Sequence, residues 1–580
     1  MRAVVRHIVI AGLLLGFAGP GAGAQSIETW NPFKQSPDEP VPRRKQPLPP
    51  VDRANLQPRV PDARSGVVES SDLSPVLAPD TSGLPLDLWR GLDMAELERL
   101  LAALDLPPRS PALHQLWRRM LLSSASPPGA PSPDHFLALR LEALYRSGLL
   151  GDMAEALDKS GPSSPFAQIL LARKDIGLGA RDAGCQAIQS LAAPRSGLPG
   201  RLKAEARLLV GYCAAAAGDA ATAGLAASIV REEGVAADLA LTVLDGLSSG
   251  AKPRLALPPR VLLLDYRFLE LLGPVNEAQI VERAEPALLV ALAGAPTSDL
   301  RLQTAAAEAA LRMNAMSPEA VAEIYRRQPE APARGAPRQG EAVDPVLRRA
   351  QLFRAVESTQ APDLKARLMR ALLDDARRAG IHWQTARMLA PLVAQLWPSR
   401  DTGALAEPVV EVAVAAGEFE LARRWAETAA SLQHWLALID IADPQPNTGG
   451  RSELAQMDEL AVRGRLGADV LHRLATVLDA LDIDVPRGIW EAAGRMPQPA
   501  TGYLPETGVL ADLAQSSQRK DTGRTVLVAM RALGPNGAEG ANILALGDAV
   551  RALKRAGLES DARRLGFEAL FAVWPRASGR

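Results

Sequence analysis

After Pro85 the apolar positions recur at steps of three and four. Leu88, Trp89, Leu92, Leu97, Leu100, Leu101 and Leu104 share one face of a helix, as do Leu421, Trp425 and Ala429, and Leu466, Val470, Leu471, Leu474 and Leu478. An apolar stripe of period 3.6 is the mark of an amphipathic helix. Alternating runs of β-branched and aromatic residues, which would mark strands, are nearly missing. The pattern predicts an all-α chain of about two dozen helices between short polar, Gly or Pro breaks. Ser317 ahead of Pro318-Glu319 and Ser452 ahead of Glu453-Leu454 read as N-caps, their hydroxyls placed to accept from the first free amides.

The first 84 residues depart from this pattern. Arg2 and Arg6 precede an apolar run from Ile8 to Phe17, and Ala22-Gly23-Ala24 follows with the small residues of a cleavage site. Residues 1–24 thus read as a secretory signal peptide, the run being too short to span about 30 Å of hydrocarbon as a permanent anchor. Residues 25–84 are rich in Pro, Arg, Asp, Ser and Gln. Such a composition buries too little surface to offset its ordering entropy and predicts a disordered, Pro-rich arm. Within it, Arg43-Arg44-Lys45 between prolines is a spacer segment or a docking patch for an acidic partner.

Punctuation between the helices repeats. Gly218 is followed by Ala223, Gly417 by Ala422 and Gly557 by Ala562, each at five residues, and Gly148 by Ala154 and Gly380 by Ala386 at six. A glycine that ends one helix in the left-handed region, followed by a small residue that lets the next helix approach, describes a helical hairpin. This resembles the tetratricopeptide repeat, with Gly211, Ala429 and Ala569 at its other small positions and Trp574-Pro575 near its closing proline. The resemblance implies an α-solenoid, a superhelix of antiparallel helix pairs. A Pro/Gly-rich break divides the array into 85–328, a flexible loop at 329–343, and 344–580, with lesser breaks at Pro444–Gly450 and Pro497–Pro505.

Composition narrows the chemistry. With 65 Lys+Arg against 66 Asp+Glu among 580 residues, the chain carries no basic footprint for nucleic acid. Its two cysteines, Cys185 and Cys213, are too few for a four-ligand zinc site. They fall on successive helices that a turn at Pro194–Gly200 makes antiparallel, so in an oxidising compartment a disulfide is expected, stabilising by roughly 3 kcal/mol. Gly246-Leu247-Ser248-Ser249-Gly250 matches G-x-S-x-G formally, but a helix precedes the serine where a nucleophile elbow needs a strand. Ser517-Gln518-Arg519-Lys520 matches S-x-x-K with no second element at a distance. The histidines 114, 135, 382, 434 and 472 show no ligand spacing, and no phosphate-binding loop appears.

These readings lead to one expectation: an exported, periplasmic protein of a Gram-negative bacterium, without catalytic residues, metal or cofactor. It would have no membrane segment after signal cleavage and would bind a protein or peptide partner along stacked helices. An envelope enzyme with an unrecognised site and a purely structural spacer are the other classes.

Overall fold

The computed structural model describes residues 80–576 apart from 130–132, 161–164, 192–199, 235–236, 252, 254, 296–298, 330–343 and 445–450. The signal peptide, most of the Pro-rich arm, nearly all of the 329–343 loop and most of the 444–450 break lie outside the described residues. The chain divides into Met1–Leu73 and Ser74–Arg580, and every described residue belongs to the second unit. These residues form 28 α-helices and no strand, with isolated bridges pairing Val261 with Ala284 and Tyr503 with Ala541.

Helices consecutive in sequence pack against each other through most of the chain. The first group is Met94–Ala102 (α1), Pro111–Leu122 (α2), Pro133–Arg146 (α3) and Leu150–Ser160 (α4). Next come Pro165–Gly177 (α5), Arg181–Ser190 (α6), Gly200–Ala216 (α7), Ala220–Glu232 (α8) and Asp238–Ser249 (α9). These five, with Phe268, build a core of their own from Ile169, Ile188, Leu209, Tyr212 and Val243. Leu263–Glu270 (α10), Glu277–Val281 (α11), Pro286–Gly294 (α12), Leu300–Arg312 (α13) and Pro318–Arg327 (α14) lead to the 330–343 segment. Beyond it lie Pro345–Ser358 (α15), Pro362–Arg378 (α16), His382–Val393 (α17), Ala406–Ala416 (α18) and Phe419–Ala426 (α19). Then come His434–Ala442 (α20), Arg451–Val462 (α21), Ala468–Ala480 (α22) and Arg487–Gly494 (α23). Val509–Gln518 (α24), Thr522–Leu533 (α25), Gly537–Gly540 (α26), Ile543–Arg555 (α27) and Glu559–Val573 (α28) complete the order.

The glycine turns have one construction. Gly148, Gly218, Gly380, Gly417 and Gly557 have φ of 72°, 81°, 69°, 80° and 86°. In each, the amide of the following residue donates to the carbonyl five residues back, as from Glu418 to Ala413 at 2.9 Å and from Leu558 to Leu553 at 3.0 Å. This is the Schellman closure, which satisfies helix-end carbonyls that would otherwise be orphaned. The same closure recurs at Asn314, Asp482 and Lys520, with φ of 56°, 57° and 55°. A search for glycine misses those three.

After Gly218, Gly417 and Gly557, the alanine at +5 is fully buried: Ala223, Ala422 and Ala562. Two of the pairs are shifted. After Gly148 the buried position is Met153 at +5, while Ala154 is only half-buried, because one further residue rotates the side chain by about 100°. After Gly380, Thr385 and Ala386 are both buried.

Other boundaries move as well. Leu88, Trp89 and Leu92 are buried as their periodicity implies, yet they sit in turns, because Asp93 caps a helix that begins only at Met94 and accepts from Glu96 N at 2.7 Å. Ala429 lies beyond the end of α19 and starts a short 3-10 turn, and Ser452 lies inside α21 rather than capping it. Ser317 does cap α14, accepting from Ala320 N at 3.2 Å. Asp80–Leu84, assigned by composition to the Pro-rich arm, are packed: Leu84 is fully buried and Asp80 accepts from Ser124 Oγ at 2.8 Å.

One apolar core runs from Leu84 to Trp574 and includes residues on both sides of 330–343. A buried trio crosses that segment: Glu308 of α13 accepts from Tyr325 OH at 2.5 Å and from Arg349 Nε of α15 at 3.1 Å. The beginning of the unit also packs on its end, with α2 against α28 and α1 against α25. There Gly523 N donates to Leu88 O at 2.9 Å, and Arg119 pairs with Asp561.

Candidate functional site

A wide cleft opens where α2 meets α28. It has a volume of about 860 Å³ and is bounded by the starts of α2, α4 and α14 and by side chains of α17 and α28. A second hollow of about 410 Å³ adjoins it, closed on the far side by the last turn of α18, by Phe419 and by the end of α20. Pro111, Gln115, Trp383, Arg387 and Arg564 line both, so these five mark the junction of one continuous groove.

Each junction residue is placed by its helix. Trp383 follows His382 at the start of α17 and packs edge-on to Phe567 and Phe571, with ring centroids 5.4 and 5.0 Å away. Its Nε1 has no hydrogen-bond partner among the described residues. Arg387 stands one helical turn further along α17, and Arg564 lies three residues before Phe567 on α28. Among the described residues neither guanidinium makes a hydrogen bond, an ion pair or a ring contact. The neighbouring cations are engaged: Arg118 holds Asp152 through Nε at 2.5 Å and Nη2 at 2.7 Å, and Arg119 holds Asp561.

Two buried titratable groups lie beneath the groove. His114 lines it at 8% exposure, and its Nδ1 is unpartnered among the described residues. Burial, reinforced by Arg118, pulls its pKa down to about 4, so the ring is neutral at neutral pH. Glu568 sits under the α2 end, accepting through Oε2 from Ser110 Oγ at 2.8 Å and Ala112 N at 2.9 Å. Burial pushes its pKa up to about 8 against the pull of those two donors.

A third hollow, of about 550 Å³, lies among α1, α3, α5 and α7. Its polar groups are already paired: His135 Nε2 is 2.6 Å from Glu98, and Arg173 lies against Glu142 and Glu205 at 2.5 and 3.0 Å.

Most residues singled out by sequence fall elsewhere. Cys185 and Cys213 form a disulfide joining α6 to α7, with Cα atoms 5.7 Å apart. Of the turn and packing residues, Gly148 and Gly417 line the groove, while Gly218, Gly380 and Gly557 do not. Ser248 is in the last turn of α9, its hydroxyl donating to Asp245 O at 3.0 Å, and Gly250 closes that helix at φ 70°. Ser517 ends α24 with its hydroxyl on Ala514 O at 2.9 Å. His382 stacks on Phe571, and His472 contacts Met496 O at 3.2 Å. Arg387 and Arg564 carry no signal of their own in the sequence, since one arginine per helix on a polar face looks like any solvated charge.

Among the described residues no three His, Cys, Asp or Glu side chains are grouped to hold a metal ion, and no helix is long and apolar enough to cross a membrane. The protein is all-helical among the described residues. The chain matches no family model, no curated protein and no solved structure.

Proposed function

We propose that this chain is an exported, non-catalytic helical-repeat scaffold of a bacterial envelope, of tetratricopeptide-like construction, that holds a protein or peptide partner in the groove at Trp383, Arg387 and Arg564. The observation that carries the reading is the pair of unengaged guanidiniums beside an aromatic wall. Elsewhere on the molecule most arginines are tied to carboxylates or carbonyls, so two left free at one junction point outward to a ligand. Wide grooves between helices suit recognition without chemistry, and five Gly-closed hairpins of one construction support the repeat assignment. Export rests on the basic and apolar pattern of residues 1–24 and fits the disulfide.

The test has two parts. Residues 1–24 fused to a reporter that is active only after export should direct it across the inner membrane, and the mature chain should begin near Gln25. A photo-crosslinking residue at Gln115, exposed at the junction, should trap one specific envelope protein, whereas the same residue at exposed Glu232 on α8 should not. Cytoplasmic retention of the reporter, or identical crosslinking from both positions, overturns the reading.

A further inference from the structure

Resting on that reading, we infer that the groove recognises an acidic, extended peptide segment of its partner, with a carboxylate held between Arg387 and Arg564 and an apolar side chain laid against Trp383. Several independent features converge on this chemistry. The two guanidiniums line both halves of the groove and lack any partner among the described residues. The start of α4 opens onto the larger half, and a helix start presents free amides and the positive end of its dipole. His114, more than nine-tenths buried, lines the same half with an unpartnered Nδ1.

Among the described residues no carboxylate lines both halves: Asp80, Asp152 and Glu319 line only the larger and Asp443 only the smaller. Of these, Asp152 is held by Arg118 and Asp80 by Ser124. Glu568 below is held neutral by burial until pH about 8, so it does not cancel the pair at neutral pH.

The smaller half selects a peptide over other anions. Phe419 and Phe567 form an apolar wall there, beside Val414–Gly417 at the C-terminal end of α18. A free phosphate or polyphosphate offers neither apolar groups nor backbone amides. An acidic peptide offers carboxylates, amides and side chains together. Charge-assisted, bidentate contacts to arginine supply both strength and direction.

The test is selection of a random twelve-residue peptide display library on the full mature chain, followed by anisotropy titrations of the enriched sequences as synthetic peptides. The proposal expects sequences rich in Asp or Glu with at least one Leu, Phe or Trp. Their affinity should fall at least tenfold in R387E/R564E and when their carboxylates become amides. In R387K/R564K, which keeps the charge and loses the bidentate fork, it should lie between wild type and R387E/R564E, and it should weaken as salt rises. Should R387E/R564E not fold by circular dichroism, R564E alone is used, since Arg564 is exposed and unpaired.

Enrichment of neutral or basic peptides, failure to enrich any, or equal binding to the charge-reversed variant overturns the inference. So does competition in which millimolar inorganic phosphate alone occupies the site. If Gln115 still traps a specific envelope protein in any of these cases, the scaffold reading stands and only the acidic chemistry falls.

Discussion

Glu568 and Ser110 are 458 residues apart in the chain and share a 2.8 Å hydrogen bond in the protein interior. Through that bond and the one from Ala112 N, the last helix caps the second, and the groove exists because the two helices meet there.

Glu568 makes the stability of this contact pH-dependent. Its folded pKa, about 8, lies above the ordinary carboxylate value. The unfolded chain therefore releases this proton first, and the folded state loses stability as pH rises from about 4.5 to about 8, at up to about 1.4 kcal/mol per unit. Glu568→Gln removes that loss while keeping an acceptor for Ser110. Melting curves should show the variant gaining on wild type from pH 5 to about pH 8 and levelling off above it. A constant difference across that range contradicts the assignment.

His114 and His382 act in the opposite sense. Burial depresses their pKa values to about 4 and about 3. Their contribution is fully present above pH about 6.5 and is lost as pH falls through those values, when the unfolded chain takes up protons first. His114→Gln should flatten the decline of the melting temperature between pH 6.5 and pH 4, as read by differential scanning calorimetry.

Arg349 and Glu308 tie α15 to α13 across the 330–343 segment, at 5% and 2% exposure. Removing only the cation leaves a buried, uncompensated carboxylate, so Arg349→Met should cost about 3–5 kcal/mol in urea unfolding. Adding Glu308→Gln should recover a large part of it. Independent, additive losses would show that the two groups do not act as a pair.

The Cys185–Cys213 bond closes a separation of 28 residues, which on loop-entropy grounds contributes about 3.5 kcal/mol. The Cys185→Ser, Cys213→Ser double variant should lose stability of that order. Reducing agent should bring wild type down to the same midpoint and leave the variant unchanged.

Gly417 and Gly151 separate backbone from packing. A methyl group at either meets nothing within 4 Å, but only Gly417 has positive φ. Gly417→Ala should therefore cost about 1–2 kcal/mol, whereas Gly151→Ala in α4 should stabilise by about 0.5 kcal/mol through its restricted unfolded state. Thermal melts of the two variants should shift in opposite directions, and shifts of the same sign would contradict a left-handed turn at Gly417.

Helix class and hairpin punctuation were legible because both are local. A 3.6-residue period and a glycine that relieves left-handed strain act over a few residues, and Gly417 followed by Ala422 carries both signals. Local signals also misplace ends: Leu88, Trp89 and Leu92 keep the stripe's spacing, but Asp93 caps the helix after them. Asn314, Asp482 and Lys520 hold the same turn without glycine, the first two because Asn and Asp tolerate the left-handed region.

By itself the sequence determined that the chain past Pro85 is helical, where many of its hairpins turn, and which alanines at Gly+5 lie inside. Only the tertiary structure decided that α2 meets α28, that Glu568 lies uncharged beneath that contact, and that Arg387 and Arg564 face one groove without partners. Periodicity reports which face of a helix avoids water. It carries no information about which distant face it meets, because that choice is made by burial and charge pairing between segments hundreds of residues apart.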